Sequence, residues 1–228
     1  MKSDYRNTEY CPQLDNISVK KDNLRNKILQ NHPRVKIIYN KVKGMNGDYR
    51  DEFMEIYNYK CSYCGNSIQN ISAILLEIDH YICESSFNSK EEAGKIENLV
   101  LACYDCNRPK RNFLITGKYI DILNPDLEII KDVFYRDDSF YIKISDKYAV
   151  DQLITDFYNI LRLNYETRRL DYLLMSMRNL AKRLDGTPKG DKLNTAIVKL
   201  QEKRNSIISN KNNICDISIK QNMSLADI

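Results

Sequence analysis

The chain has 228 residues, 43% of them hydrophobic and 29% charged, with a formal net charge of +4. That length buries a sizeable core and that balance excludes a disordered chain. No apolar run approaches the roughly 18 residues of a membrane span, and the opening MKSDYRNTEY has no signal-peptide core, so a cytoplasmic protein without membrane contact is expected.

Residues 1–13 look frayed. Helical signals run over 15–42 with a break at Pro33, and glycines at 44 and 47 separate them from the next segment. Residues 48–59 read as a helix with Phe53, Ile56 and Tyr57 on one side. The apolar runs 73–78 and 99–102 suit buried strands, and the polar stretch from Tyr104 suits a short helix. Two aromatic and β-branched runs, 132–138 and 139–145, suggest a β-hairpin around Asp137-Asp138. Leu170, Leu173, Leu174, Met177, Leu180, Ala181 and Leu184 repeat at i, i+3, i+4 and i+7, which marks one face of a helix. Gly186, Pro188 and Gly190 end it. A last helix carries Leu193, Ile197, Leu200 and Ile207, and 209–228 is expected to be a loose tail.

Seven cysteines in a chain without a secretory signal argue against a disulfide framework. Cys11, Cys83 and Cys215 stand alone and read as small buried hydrophobes. The other four form two C-x-x-C pairs, Cys61 with Cys64 and Cys103 with Cys106. Four thiolates in two such turns are the usual donors of a tetrahedral zinc, and a closed shell of sulfur makes that zinc structural. A redox dithiol needs only one pair and a βαβ context that is not suggested here.

Between the pairs lies Leu-Leu-Glu-Ile-Asp-His, residues 75–80. Asp79 and His80 end an apolar strand, Asn98 precedes the second strand, and Asn107 follows the last cysteine. A zinc on the flanking cysteines draws these distant residues together. Phosphodiester hydrolysis needs a base near neutrality, which a neutral imidazole supplies, and a cation at the phosphoryl oxygens. Mg²⁺ or Mn²⁺ takes oxygen ligands and keeps waters, so Asp79 and Asn107 are sufficient protein donors.

Lys60-Cys61-Ser62-Tyr63-Cys64-Gly65, Glu77-Ile78-Asp79-His80, Glu97-Asn98-Leu99-Val100-Leu101-Ala102-Cys103 and Cys106-Asn107-Arg108-Pro109-Lys110 together resemble the zinc-bound HNH endonuclease family of ββα-metal fold. The resemblance implies that His80 is the general base, that Asp79 and Asn107 hold the catalytic Mg²⁺ or Mn²⁺, and that Asn98 fixes the loop that aims His80. Asn107 stands where many members carry histidine, and Tyr81-Ile82-Cys83 lacks the proline that many relatives place after the histidine. Arg108, Lys110 and Arg111 are then expected to contact substrate phosphates.

The stretch from Ile122-Leu123-Asn124-Pro125 to Leu161-Arg162-Leu163-Asn164-Tyr165 and Arg168-Arg169 is similar to an extension found in HNH proteins of bacterial defence loci. This similarity implies antiviral defence, or restriction of foreign DNA, beside an ATPase partner subunit as in Septu-like systems. A second basic group, Arg162, Arg168, Arg169, Arg178, Lys182 and Arg183, reads as either solubilising charge or a DNA contact.

The expected architecture is α+β: a small zinc-pinned ββα-metal nuclease core with mainly helical N- and C-terminal additions. Its divisions are a helical segment over 1–47, the nuclease core over 48–115, a hairpin with helices over 116–208, and a tail over 209–228. Duplex DNA is the expected substrate. An RNA-cleaving nuclease or toxin on the same scaffold, and a catalytically silent zinc module that binds nucleic acid, are the rivals.

Overall fold

The structure is a computed structural model and describes residues 3–44 and 47–224. Its first described residues are anchored where fraying was expected. Tyr5, Arg6, Thr8 and Cys11 are buried. Arg6 pairs with Asp4 at 2.7 Å and donates to the carbonyls of Ser62 and Pro125, each at 2.6 Å, so it ties three distant segments together. One guanidinium offers five donors, and that capacity holds a stretch with no secondary structure of its own.

Helix α1 (Ile17–Asn31) buries Ile17, Lys21, Leu24 and Ile28, spaced along one stripe. Lys21 is tolerated there because its ammonium meets the Asp126 carboxylate, to which the Tyr57 hydroxyl also donates at 2.9 Å. Pro33 follows the helix end, since proline's missing N–H and fixed φ cannot continue it. A short helix α2 (Tyr39–Val42) and helix α3 (Arg50–Ile56) come next, and α3 brings Phe53, Met54 and Ile56 into the core.

The two apolar runs then pair. Strand β1 (Leu76–His80) and strand β2 (Leu99–Cys103) form an antiparallel ribbon, in register from Leu76 opposite Cys103 to His80 opposite Leu99. The first run begins later than expected, because residues 73–75 make a single 3₁₀ turn. The connection carries helix α4 (Lys90–Ala93), capped by the Ser89 side chain, which accepts from the Glu92 amide. Helix α5 (Tyr104–Lys110) starts directly at Cys103 and packs on both strands. Strand, strand and helix make the ββα unit. Every residue of β2 is buried, with α5 packed on the strand and α1 against the turn that leads into it.

Helices α6 (Tyr119–Ile122) and α7 (Ile130–Val133) lead into the hairpin of β3 (Phe134–Arg136) and β4 (Ile142–Ile144). Its turn is organised by Asp137, whose carboxylate accepts from the amides of Ser139 and Tyr141 at 3.0 and 2.9 Å. Helix α8 (Gln152–Ile160) adds Ile154 and Phe157 to the core. Helix α9 (Glu166–Arg183) and helix α10 (Pro188–Ser224) pack along each other as a hairpin of helices. Pro188 opens α10 instead of only closing α9, a position where its lost N–H costs nothing. Within the expected α9 stripe, Leu170, Leu174 and Ala181 are buried, whereas Leu173, Met177, Leu180 and Leu184 are half-buried. The tail expected over 209–228 is helical as far as Ser224, and 225–228 lie outside the described residues, as does the side chain of Cys215. Among the described residues no helix is long and apolar enough to cross a membrane.

Candidate active site and metal centres

The first cysteine pair sits in a turn whose amides are fixed on both sides. Cys61 N–H donates to the Asn66 carbonyl and Ser62 N–H to the Leu101 carbonyl, both at 2.7 Å, which fastens the turn to β2. Gly65 completes it with φ +76°, and a Cβ there would lie 2.5 Å from the Arg6 carbonyl oxygen, so only glycine fits. The second pair straddles a strand-to-helix junction: Cys103 ends β2 and Cys106 lies in the first turn of α5. The four sulfurs are buried and lie within 4.8 Å of one another. A tetrahedral zinc with arms of about 2.3 Å sets its sulfurs about 3.8 Å apart, and Cys64 Sγ and Cys103 Sγ are 3.7 Å apart. The donor set fits zinc. Burial and the neighbouring sulfurs push the Cys106 thiol well above its ordinary pKa, as expected of thiols gathered to share a cation.

A cation already stands beside them. Arg168, on α9, donates to Cys64 Sγ at 3.4 Å, Cys103 Sγ at 3.7 Å and Cys106 Sγ at 3.2 Å, and to the Leu161 carbonyl at 3.2 Å. Burial works against its charge, but the cysteines more than offset this and hold its pKa well above the ordinary arginine value. A zinc tetrathiolate carries two net negative charges, so one buried guanidinium neutralises half of them. Of the basic group along 162–183, Arg168 is buried, Arg169 and Arg178 are half-buried, and Arg162, Lys182 and Arg183 are exposed. Arg178 binds the Gln69 carbonyl at 2.6 Å and Asn70 Oδ1 at 2.7 Å, and Arg169 binds the Ser139 carbonyl at 2.6 Å.

The ribbon separates the two chemistries. The cysteines gather at its Leu76–Cys103 end and His80 lies at the other, four residues or about 14 Å along a strand. Alternation places Glu77 and Asp79 on the face covered by α5, and Leu76, Ile78 and His80 on the opposite pleat. Asn107 Nδ2 donates to Glu77 Oε2 at 2.6 Å, which leaves its carbonyl oxygen without a partner among the described residues. Asp79 Oδ2 accepts from the Tyr63 hydroxyl and from Lys110 Nζ, both at 2.9 Å, and its second oxygen is likewise uncommitted. Burial pushes the Asp79 carboxyl above the usual range, with Lys110 and Tyr63 pulling against it. Asp79 and Asn107 thus each keep one oxygen without a partner among the described residues, and oxygen is the donor type that a hard divalent cation takes. Among the described residues the cysteines form the sole cluster of three or more His, Cys, Asp or Glu donors.

His80 is half-buried, and its imidazole makes no hydrogen bond among the described residues. Its ring packs against the Tyr39 ring, with centroids 4.3 Å apart. Burial lowers its pKa below the ordinary histidine value and so favours the neutral form. Asn98 brackets the loop beyond His80. It accepts from Ile82 N–H at 2.9 Å, donates to Ile82 O at 3.0 Å and to Ala93 O at 2.9 Å, and its own carbonyl takes the Tyr81 amide at 2.7 Å.

One expected residue is corrected. Lys110 is not available to a substrate phosphate: its side chain is fully buried, and Nζ is held by Asp79 and by the His80 carbonyl at 2.8 Å. Arg108 and Arg111 are exposed, Arg108 pairing with Glu77 at 2.8 Å. Four contacts were not anticipated: Glu77 on Asn107, Tyr63 on Asp79, Tyr39 on His80 and Arg168 on the sulfurs. Glu77 was legible, because it lies two residues before Asp79 and so shares its face. The other three depend on which segment packs where.

Residues 61–113 match the model of the family described as HNH endonuclease. No curated protein and no solved structure is matched.

Proposed function

We propose, from the HNH endonuclease domain carried by residues 61–113, that this chain hydrolyses DNA phosphodiester bonds with a water activated by His80. An HNH domain supports nuclease activity and implies a nucleic-acid substrate. The observation that carries the finer reading is an uncommitted, neutral-leaning imidazole at the open end of the ribbon, next to the Asp79 carboxylate, which faces α5, the helix that carries Asn107.

In this reading the scissile phosphate lies at the His80 end of β1. Asp79 and Asn107 are the residues that would hold Mg²⁺ or Mn²⁺ through their free oxygens. That ion supplies positive charge at the phosphoryl and leaving oxygens. A nitrogen of His80 takes one proton of the attacking water, whose oxygen bonds to phosphorus as the P–O3′ bond breaks; the departing O3′ takes a proton from solvent water, and a 5′-phosphate and a 3′-hydroxyl result. Asn98 acts at one remove: by clamping residue 82 it fixes the chain just beyond His80. Arg108 on α5 and Arg111 just after it flank the site and hold the backbone of duplex DNA. A cytoplasmic role in defence against foreign DNA, beside an ATPase subunit, extends the same proposal. Its support is the similarity of residues 122–169 to extensions in defence-associated HNH proteins.

The test is cleavage of a supercoiled plasmid by wild type and His80→Ala, each with Mg²⁺, with Mn²⁺ or with EDTA. We expect nicked or linear DNA from metal-supplied wild type alone, and a loss of about 10²–10⁴-fold in the variant. Equal activity in His80→Ala sinks the mechanism. Cleavage of RNA but not of DNA replaces the substrate and keeps the chemistry.

A further inference from the structure

The segment that lies over His80 does not belong to the ββα unit. It is the connection between α1 and α3, residues 32–49, and its composition is one-sided. Between Asp22 and Asp48 the chain has no acidic residue, while Arg25, Lys27, Arg34, Lys36, Lys41 and Lys43 all fall there. Arg25 and Lys27 lie back on α1 and are paired with Glu97 and Glu52. Lys41 is paired with Asp48 at 3.0 Å. Arg34, Lys36 and Lys43 are exposed and have no carboxylate partner among the described residues.

The segment is built in, not draped. Tyr39 N–H donates to the Gly94 carbonyl at 3.1 Å. A Cβ on Gly94 would lie 2.6 Å from Ile37 Cγ2 and 3.3 Å from Tyr39 Cβ, so the absence of a side chain there lets the segment seat on the β1–β2 connection. Arg50 closes the other side, donating to the Lys43 carbonyl at 3.1 Å and to the Leu76 carbonyl of β1 at 2.6 Å. The seating brings the Tyr39 ring onto the His80 ring at 4.3 Å, with Lys43 Nζ 5.1 Å from the far ring of that pair. Beside it an open depression of about 500 Å³ is lined by Arg34, Lys36, Asn40, Lys41 and Asp48. Arg34 and Lys36 thus line the depression without a carboxylate partner among the described residues, and Lys43 lies over the Tyr39 ring that packs on the candidate catalytic histidine.

From this geometry we infer that residues 34–43 form a phosphate-backbone track, on which Arg34, Lys36 and Lys43 hold the nucleic-acid strand that flanks the scissile bond. The inference rests on the nuclease reading and adds a surface to it on the side of His80 opposite α5. Unpaired cations on a backbone fixed by Gly94 and Arg50 neutralise phosphates without ordering a loop, and Asn40 offers a neutral hydrogen-bonding group beside Arg34 and Lys36. The contact is to the backbone, so it adds affinity and register but no sequence preference. It also supplies what the burial of Lys110 removes from the α5 side.

The test is binding of a labelled 30-base-pair DNA duplex, and of the RNA duplex of equal length, by the full chain in buffer without added Mg²⁺ or Mn²⁺, across a salt series. The proteins are wild type, Arg34→Gln/Lys36→Gln/Lys43→Gln, and Lys189→Gln/Lys192→Gln/Lys199→Gln, which loses the same charge from exposed positions on α10. Each lost phosphate contact lowers the slope of log affinity against log salt by about 1. We expect the first variant to lose about 2–3 from that slope and to bind at least about tenfold more weakly near physiological salt. The α10 variant should keep the wild-type slope. Thermal unfolding should be unchanged in both, since all six residues are exposed. Wild-type affinity and slope in the first variant, or an equal loss in the α10 variant, overturn the track and leave the nuclease reading in place. Binding to RNA alone that falls in the same variant keeps the track and moves the substrate. A wild-type protein that binds neither duplex removes the nuclease reading and the track with it.

Discussion

Lys110 is an ammonium held wholly out of solvent between the Asp79 carboxylate, at 2.9 Å, and the His80 carbonyl, at 2.8 Å. Removing one member of a buried pair leaves the other uncompensated, which costs about 3–5 kcal/mol. Lys110→Met should therefore lower stability by that amount in urea unfolding without nucleic acid, and a phosphate-contact role would leave the midpoint unmoved. Arg108 gives the contrast: its pair with Glu77 is exposed on the arginine side and contributes little to stability. Asn98 works through geometry. Its side chain makes three hydrogen bonds that bind the loop after His80 to the end of α4. Asn98→Ala should cost about 1–3 kcal/mol in thermal unfolding. It should also lower kcat by up to about 100-fold with little change in KM, because a small misplacement of a reacting group weighs on the transition state. A proportional rise in KM instead would assign Asn98 to substrate binding.

Elements explain why the cysteine turns are held by more than residues 61–113. Helix α9 reaches them through Arg168, and Asp171 on the same face pairs with Arg204 of α10 while accepting from Asn66 Nδ2 at 2.9 Å. The two C-terminal helices are thus fastened to the first knuckle by buried charge as well as by Leu170, Leu174 and Met175. Arg168→Met takes charge-assisted donors from three sulfurs, and such bonds contribute about 1.5–3 kcal/mol. We expect that loss in the unfolding midpoint, together with faster zinc release to a chromogenic chelator. Lys182→Met, exposed on the same helix, should behave as wild type in both assays. Equal release rates would show that Arg168 packs against the cysteines without stabilising their charge.

At the scale of the molecule, a net charge of +4 understates how the cations are used. Arg6, Lys21, Lys60, Lys110 and Arg168 are all buried, each with carbonyl, carboxylate or sulfur partners. They join the N-terminus, α1, the first knuckle and α5 around one hydrophobic cluster, and Arg168 ties α9 to it. One of these ties, Arg168, runs directly to the four-cysteine cluster, and Arg6 holds the carbonyl of Ser62 in its first turn. Removing zinc should therefore unfold the protein cooperatively and not merely free one end of the ribbon. Cys103→Ser or exhaustive chelation should abolish the folded circular-dichroism spectrum, with recovery of the chelated protein on one equivalent of Zn²⁺. Brief EDTA treatment that removes only the hydrolytic cation should leave the spectrum intact while cleavage stops. A folded spectrum after full zinc loss would contradict the structural role of the four cysteines.

The sequence alone determined the parts whose chemistry is local. Two C-x-x-C turns restrict four sulfurs to convergent positions, a Leu-Glu-Ile-Asp-His strand fixes which side chains share a face, and periodicity places α9 and α10. The same locality made Asp79, His80, Asn98 and Asn107 stand out, because each borders a cysteine pair or a strand end. Only the tertiary structure decided matters of long-range packing and of burial. Whether Lys110 meets a phosphate or Asp79 depends on how α5 lies on β1, and whether Arg168 faces water or sulfur depends on where α9 docks. That residues 3–13 are anchored depends on Arg6 finding Ser62 and Pro125, 56 and 119 positions away. The same is true of Tyr39, set on His80 by a glycine 55 positions further along the chain than Tyr39 itself. A charged side chain carries no mark in the sequence of whether it will be solvated or buried with a partner, since both satisfy it and only the fold supplies the partner.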